Sequence, residues 1–436
     1  MIAVVLVVSG AAVGVTRLRH SCGAEVTSAS AAQSTSPFLD AGAQRERPDA
    51  HRDRLVRTLR HARPPLGEVL GAVGYDYQQW AQVSAYDQGI GVRTRDNPDF
   101  TMLDDQTLRP LWSVSVATAR SAYDASSTRY LVATMLRGRA PDLVALDART
   151  GHRLWCRGST GPVVGPSDAF ATQFLDGEDV AVLSGGTTSQ RLVRLAGTDG
   201  HELWSRAVTA DHGDFLGTPG GRLLVTGGSD PADLLDPAVL SKRPAGMALV
   251  GVSATTGKTV WTLPTPAGSG LHVLGADADL GLVVAERWSG PGPTGTLVAL
   301  DRAGHEVWTR APATGAYDAA LRAGRVLVRA GSHWAAYDAR TGRPLWRRTM
   351  PDRPQLLPYG FQLADVPLLD EDHALLGTTT ALRTLDLRTG AMPPASSTAL
   401  PRDGINTTFW PYQVAVSNGL VAVATNTAAV LVRRTR

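Results

Sequence analysis

The sequence predicts an all-β fold assembled from a repeated unit of about four short strands, and three observations carry the prediction. A turn ending in tryptophan recurs along the chain, placing Trp112, Trp155, Trp204, Trp261, Trp308 and Trp346 at spacings of 38 to 57 residues. Between the copies lie short apolar runs, among them VAVLSGG (180–186), LLVTGG (223–228), LGLVVAE (280–286), RVLVRAG (325–331) and HALLGTT (373–379), each of strand length. The composition suits many short strands joined by tight turns: 45 Gly and 27 Pro among 436 residues, 43% of them hydrophobic.

The turn is clearest in LVALDARTGHRLW (143–155) and WAAYDARTGRPLW (334–346). Related copies are RLAGTDGHELW (194–204), GVSATTGKTVW (251–261) and ALDRAGHEVW (299–308), the last one residue shorter. A worn copy, MLDDQTLRPLW (102–112), has Leu108 in place of Gly, and a seventh, TLDLRTGAMPP (384–394), has Pro394 in place of Trp. Each position has a physical role. The apolar lead-in is a buried strand. Asp or Thr bonds the backbone of the turn. Gly takes a left-handed position that closes a bulged hairpin. The apolar–Trp pair starts the return strand, its indole offering a flat surface for the next unit.

Four strands in 40–50 residues cannot bury their faces alone and must pack on like units, which describes the blade of a β-propeller. The motif resembles the pyrroloquinoline-quinone (PQQ)-like repeat family, whose members include quinoprotein dehydrogenases and the outer-membrane assembly factor BamB. The resemblance covers about residues 75–436. Trp-Asp repeats place their Asp at a strand end, whereas here it precedes the turn, and kelch repeats have a Gly-Gly pair in a different register. After the seventh motif, YQVAVSNG, LVAVATN and AAVLVRR (412–434) read as three strands lacking a fourth. Residues near 66–80 are expected to supply it, pairing the two ends of the chain and removing open sheet edges. The expectation is a PQQ-like propeller over 66–436 with eight four-stranded blades, seven being the alternative.

Residues 1–15, MIAVVLVVSGAAVGV, are apolar and uncharged. They are short of the roughly 20 residues that span a bilayer and match the core of a signal peptide or anchor. Arg17 and Arg19 follow them, which by charge alone would place the rest in the cytoplasm; a basic leader upstream of residue 1 is the preferred explanation. Residues 16–65, rich in Ala, Ser, Arg and Pro, read as a disordered tether. Anchor, tether and compact domain describe a protein at the cell membrane with its propeller on the extracytoplasmic side, or a secreted one. The two cysteines, Cys22 and Cys156, are too few and too far apart for a disulfide framework or a cysteine zinc site. Cys156 is expected as a buried or edge thiol, and Arg19-His20-Ser21 before Cys22 is not a lipobox.

The family resemblance implies an enzyme possibility, and the residues argue against it. Quinoprotein dehydrogenases of this kind are known for an adjacent Cys-Cys pair and a calcium held by Glu, Asn and Asp. This chain has no such pair, and Asn97, Asn406, Asn418 and Asn426 lie in no acidic constellation. Asp370-Glu371-Asp372 reads as a polar turn. His152, His201 and His305 recur with the turn and are expected at its solvated tip. No Gly-x-Ser-x-Gly or phosphate-cradling loop occurs. No catalytic, cofactor or metal residues are assigned, and no cofactor is expected.

A net charge of +3, nearly all the basic residues being scattered arginines, gives no pull toward nucleic acid. The expected function is therefore a non-catalytic, monomeric binding or scaffolding module for a protein or cell-envelope partner, touching the membrane through its amino terminus only. A divergent PQQ-dependent oxidoreductase is the alternative. If the repeat turn joins the third and fourth strands, the irregular insertions share the opposite rim, where long loops carry binding. The candidates are Arg137 and Arg139, Leu234, Leu235, Val239 and Leu240 in the segment 229–245, and Trp288. The six repeat tryptophans are assigned to docking between blades.

Overall fold

The computed structural model describes residues 26–30, 50–74 and most of 81–435; outside the description lie 1–25, 31–49, 75–80, 87–88, 95–96, 117–119, 127–129, 138–139, 159–170, 175–177, 187–188, 209–214, 218–222, 227–247, 265, 278, 290–294, 312–317, 331, 350–365, 379, 402–412, 418, 425–427 and 436. The described strands form eight antiparallel sheets, numbered here as blades in chain order: 81–116, 120–158, 171–208, 215–264, 269–310, 318–349, 373–399 and 413–434. In blades 2 to 6 the four strands succeed one another in space as in sequence, so the first is innermost and the fourth outermost. Blade 7 has three strands among the described residues, with Leu368 bridging Ala374 where a first strand would lie.

Blade 8 is composite. Its outer strand is β2 (Leu66–Gly74), which runs antiparallel to Ala428–Arg434 with Val73 opposite Ala429. The chain thus joins its early residues to its last strand, as the unpaired three-strand ending predicts. The inner strand of blade 8, Gln413–Val416, packs on Ala81–Tyr86 of blade 1 and on His373–Gly377 of blade 7.

Two pieces of the segment 16–65, read from composition as a disordered tether, are structured. Strand β1 (Val26–Ser30) adds a fifth strand to blade 1, antiparallel to Pro110–Val116 with Val26 opposite Val116. Helix α1 (Ala50–Leu59) lies against β2 and Ala428–Arg434. Its Leu55 and Leu59, one turn apart, are fully buried among Leu375, Leu382, Leu400, Val421, Val423 and Val430 at the joint between blades 7 and 8. Three arginines on its other faces, Arg52, Arg54 and Arg57, with Arg60 just after it, give the segment the composition of a solvated tether.

The core consists of a cluster between each pair of blades rather than one centre. Val284, Leu297 and Ala299 of blade 5 meet Ala319, Leu321, Val326 and Val328 of blade 6, for example. Each sheet is buried on both faces, which is why its middle strands read as continuous apolar runs.

Candidate functional site

The repeated turn joins the third and fourth strands, as in Ala140–Asp147 and Arg153–Gly158. Its geometry is self-contained. Asp147 Oδ1 accepts hydrogen bonds from the backbone N–H groups of Arg149 (3.0 Å) and Thr150 (2.8 Å) and from the Thr150 hydroxyl (2.9 Å), while Gly151 N–H donates to the Asp147 carbonyl (2.8 Å). Asp104, Asp338 and Asp386 accept the same kinds of bonds from their own turns. For these three, burial alone would raise the pKa. The Thr107, Thr341 and Thr389 hydroxyl and N–H groups, with further turn N–H groups, outweigh it and hold each carboxyl below its ordinary value. A carboxylate so engaged is poorly placed to serve as a ligand.

Each indole belongs to the blade before the turn it reaches. Trp112, Trp155, Trp204, Trp308 and Trp346 donate Nε1–H to the carbonyls of Ala148, Gly197, Ala254, Ala339 and Leu387 on the following blade, at 2.7–2.9 Å. The ring lies under the turn glycine: a Cβ on Gly151 (φ 70°) would stand 2.5 Å from Trp112, and one on Gly342 (φ 66°) 2.6 Å from Trp308. Glycine is required twice over, by backbone sign and by contact.

The two irregular copies follow from this geometry. Trp261 packs under Gly304, but its Nε1–H is buried without a partner. The shortened turn of blade 5 closes through Gly304 N–H to the Asp301 carbonyl three residues back, where its counterparts close over four, so no carbonyl comes into line with the indole. Leu108 keeps the left-handed conformation (φ 58°) without being glycine. The preceding blade ends in β2, which has no tryptophan, and the Leu108 side chain fills the space, buried with Val73, Leu103, Leu420 and Leu431.

The residue before each tryptophan is a β-bulge: the register skips Leu154, Leu203, Val260 and Val307, leaving them 41%, 44%, 51% and 49% exposed. An arginine two positions after the tryptophan also went unread as a motif. Arg157, Arg206 and Arg348 donate to the carbonyls of Gly200, Gly257 and Thr389 on the next blade, at 3.4, 3.1 and 3.4 Å. The Trp-x-Arg spacing, present also at Trp308-Thr309-Arg310, was the available signal.

His152, His201 and His305 are exposed at the turn tips, the last two beside Asp199 and Asp301 of their own turns. Asp370 of the acidic run accepts from the backbone N–H groups of Asp372 and His373, and Asp372 pairs with Arg325 of blade 6 at 2.6 Å. Among the described residues no group of three or more His, Cys, Asp or Glu side chains is placed to hold a metal ion, and no helix is long and apolar enough to cross a membrane.

The opposite rim carries the connections between second and third strands. Arg137 ends the strand Tyr130–Arg137, opposite Ala140; Arg139, Leu234, Leu235, Val239 and Leu240 lie outside the described residues. Trp288 corrects an expectation. It belongs to the strand Leu282–Ser289 and is 3% exposed, not carried on a loop. Gly270 and Gly295 stand opposite it on the two neighbouring strands and leave room for the indole on the sheet surface. Three buried charged residues, Asp142, Glu286 and Arg329, also lie toward this rim, each engaged by a partner.

Cys156 overturns a second expectation: it is disulfide-bonded, not a thiol. Sequence separation misled here, because distance along the chain says nothing about distance in space. The donor set that the family resemblance would require for PQQ does not fit, since Cys156 is flanked by Trp155 and Arg157 and has no adjacent cysteine.

Comparison with known proteins agrees with the fold. The family model described as outer membrane protein assembly factor BamB matches residues 58–230 and 246–435. The chain belongs to the BamB family. Among solved structures, BamB from Moraxella catarrhalis is 14% identical, with 84% of this chain and 99% of that one covered, at a TM-score of 0.49. The Dos1 propeller is 11% identical over 87% and 97%, at 0.50. A quinohemoprotein alcohol dehydrogenase from Pseudomonas putida is 13% identical over 85% and 76%, at 0.48. At such identities a likeness speaks to the fold alone. No match was found among curated proteins.

Proposed function

We propose that this BamB-family chain is a non-catalytic extracytoplasmic propeller that holds a protein or cell-envelope partner on the rim opposite its repeat turns. The observation that carries the reading is the asymmetry of the two rims. On the repeat rim the carboxylates, glycines and five of six indoles are engaged by their own turn or by the next blade. Toward the other rim lie the strand ends Thr226 and Ala248, between which the insertion 229–245 falls in sequence, and the buried charges Asp142, Glu286 and Arg329. A scaffold whose repeats are self-satisfied on one side leaves recognition to the interrupted side.

The family's description as an assembly factor supports a protein partner over a small molecule. The bonded state of Cys156 supports an oxidising compartment, where disulfides persist. A pull-down from envelope extracts with 229–245 intact and deleted tests the reading: the deletion is expected to lose the partner, and recovery of the same proteins by both baits would overturn it. Adding PQQ with calcium to the purified protein is expected to leave its absorbance the sum of the parts. Tight stoichiometric binding would replace this reading by that of an oxidoreductase.

A further inference from the structure

We propose that the outer edge of blade 1 is a strand-binding site. The chain fills it with its own Val26–Ser30, and a partner protein takes it by adding an extended, uncharged segment in the same antiparallel register. The site lies on the perimeter of the ring, apart from the rim proposed above, and stands independently of that reading.

An outermost strand shows a row of unpaired N–H and C=O groups to any extended chain, and folded proteins blunt such edges. Around this ring the blunting is visible blade by blade. The outer strands of blades 2, 3, 5 and 6 carry arginine two positions after the tryptophan, at Arg157, Arg206, Arg310 and Arg348. That of blade 4 ends in Pro264, which has no N–H to offer. In blade 7 the outer strand among the described residues is short, Ser397–Ala399. Blade 8 ends in β2, whose register is broken twice and against which α1 packs. From Trp112 to Val116, blade 1 has none of these devices. The stretch reads WSVSV, without charge or proline, and the arginine position is Val114, fully buried.

What this edge has instead is an occupant. Strand β1 runs along it without a register break, from Val26 opposite Val116 to Ser30 opposite Trp112, and among the described residues no other blade holds a fifth strand. The occupant also states what the edge accepts: VTSAS opens on two β-branched residues, is uncharged and has no proline or glycine. Strand addition draws its affinity from main-chain hydrogen bonds, so the same edge serves a strand supplied by another chain. A short strand at the margin of a sheet is also among the first parts to open. As part of the same chain, β1 competes at an effective concentration on the order of millimolar. It therefore shields the edge from casual pairing and yields to a partner that adds contacts beyond those of the strand itself.

The probe is a fluorescein-labelled peptide of residues 24–32, AEVTSASAA, read by anisotropy against the full-length protein. Alternate N–H groups of a strand face its partner, so two adjacent prolines are needed to break β1 with certainty. The full chain carrying Ser28→Pro and Ala29→Pro is expected to bind the peptide at least about ten-fold more tightly than the wild type does. The peptide with the same two prolines is expected not to bind. Absence of binding to a variant that keeps the wild-type circular dichroism would overturn the site, and equal binding to both proteins would overturn its occupation by β1. Should the variant fail to fold, hydrogen exchange on the wild type decides. Amides of Trp112–Val116 bonded to β1 are expected to exchange at least about ten-fold faster than amides of Asn97–Leu103 bonded within the blade. Equal protection would show a fixed fifth strand and overturn the exchange.

Discussion

Six joints of this ring are made one way and two another. From blade 1 through blade 7 each joint places an indole of one blade under the turn glycine of the next, usually with a bond from Nε1–H to a backbone carbonyl. At the two faces of blade 8 that pairing is incomplete: blade 8 has no repeat turn of its own, because its third strand, Ala428–Arg434, is the last of the chain, and its fourth, from residues 66–74, has no tryptophan to place under the turn of blade 1. The joint with blade 7 is filled by Leu55 and Leu59 of helix α1, and the joint with blade 1 by Leu108 and its apolar neighbours. Polar ties supplement them. Asp105 of blade 1 accepts from the Ser417 hydroxyl (3.0 Å) and Gly419 N–H (3.2 Å) of blade 8, and Arg434 reaches the carbonyls of Ser417 and Leu369. A repeating interface can thus be specified by one indole. A seam needs side chains recruited from outside the repeat.

The comparison can be broken at either kind of joint. Trp112→Ala removes a fully buried indole together with its bond to Ala148, and is expected to cost about 3–5 kcal/mol, read as a lowered urea midpoint. Leu59→Ala on α1 is expected to cost about 2–5 kcal/mol; an unchanged midpoint would show that strand pairing alone holds the seam. Leu108→Gly removes the plug but also relieves the left-handed strain on a residue with Cβ. Its expected net cost is smaller, about 1–3 kcal/mol in the same titration. Inserting Thr between Ala303 and Gly304 restores the full-length turn in blade 5 and gives Trp261 a carbonyl. A gain of about 1 kcal/mol in thermal or urea unfolding is expected.

The smallest effect concerns acid. Asp104, Asp338 and Asp386 have pKa values lower in the folded chain than in the unfolded one, so the unfolded chain takes up protons first as pH falls. Their contribution is complete above the ordinary aspartate value of about 4 and is lost as pH drops through the lowered folded values. Asp338→Asn with Asp386→Asn should flatten the loss of stability below about pH 4. An unchanged acid slope would show that the turns do not depend on the ionised form.

The parts of the fold legible in the sequence are those where one physical problem is solved repeatedly. Asp, Thr, Gly and Trp recur because every internal joint needs the same turn and the same flat surface. The unpaired last three strands were legible for a related reason, since an open edge demands a partner. What escaped was solved once. The two buried leucines of α1 sit among arginines, so its composition is that of a tether. Trp288 precedes a run of glycine and proline that reads as its loop. The bonded state of Cys156 escaped as well, because two cysteines far apart in sequence form no framework that spacing can reveal. Most of the candidate partner rim, from Arg139 to Leu240, lies outside the described residues, and its assignment rests on the interruption of the repeat.

The composite eighth blade also sets an order in time. Strand β2 is made early, at residues 66–74, and its partner spans 428–434, so on a growing chain it waits for nearly the whole length to be synthesised. At 5–20 residues per second that interval is on the order of 20–70 s. Blades 1 to 7 can stack as they emerge, but the ring cannot shut until the final strand arrives. A chain cut short by even its last ten residues leaves β2 unpaired and the leucines of α1 uncovered, so truncated products should declare themselves to proteases while complete ones do not.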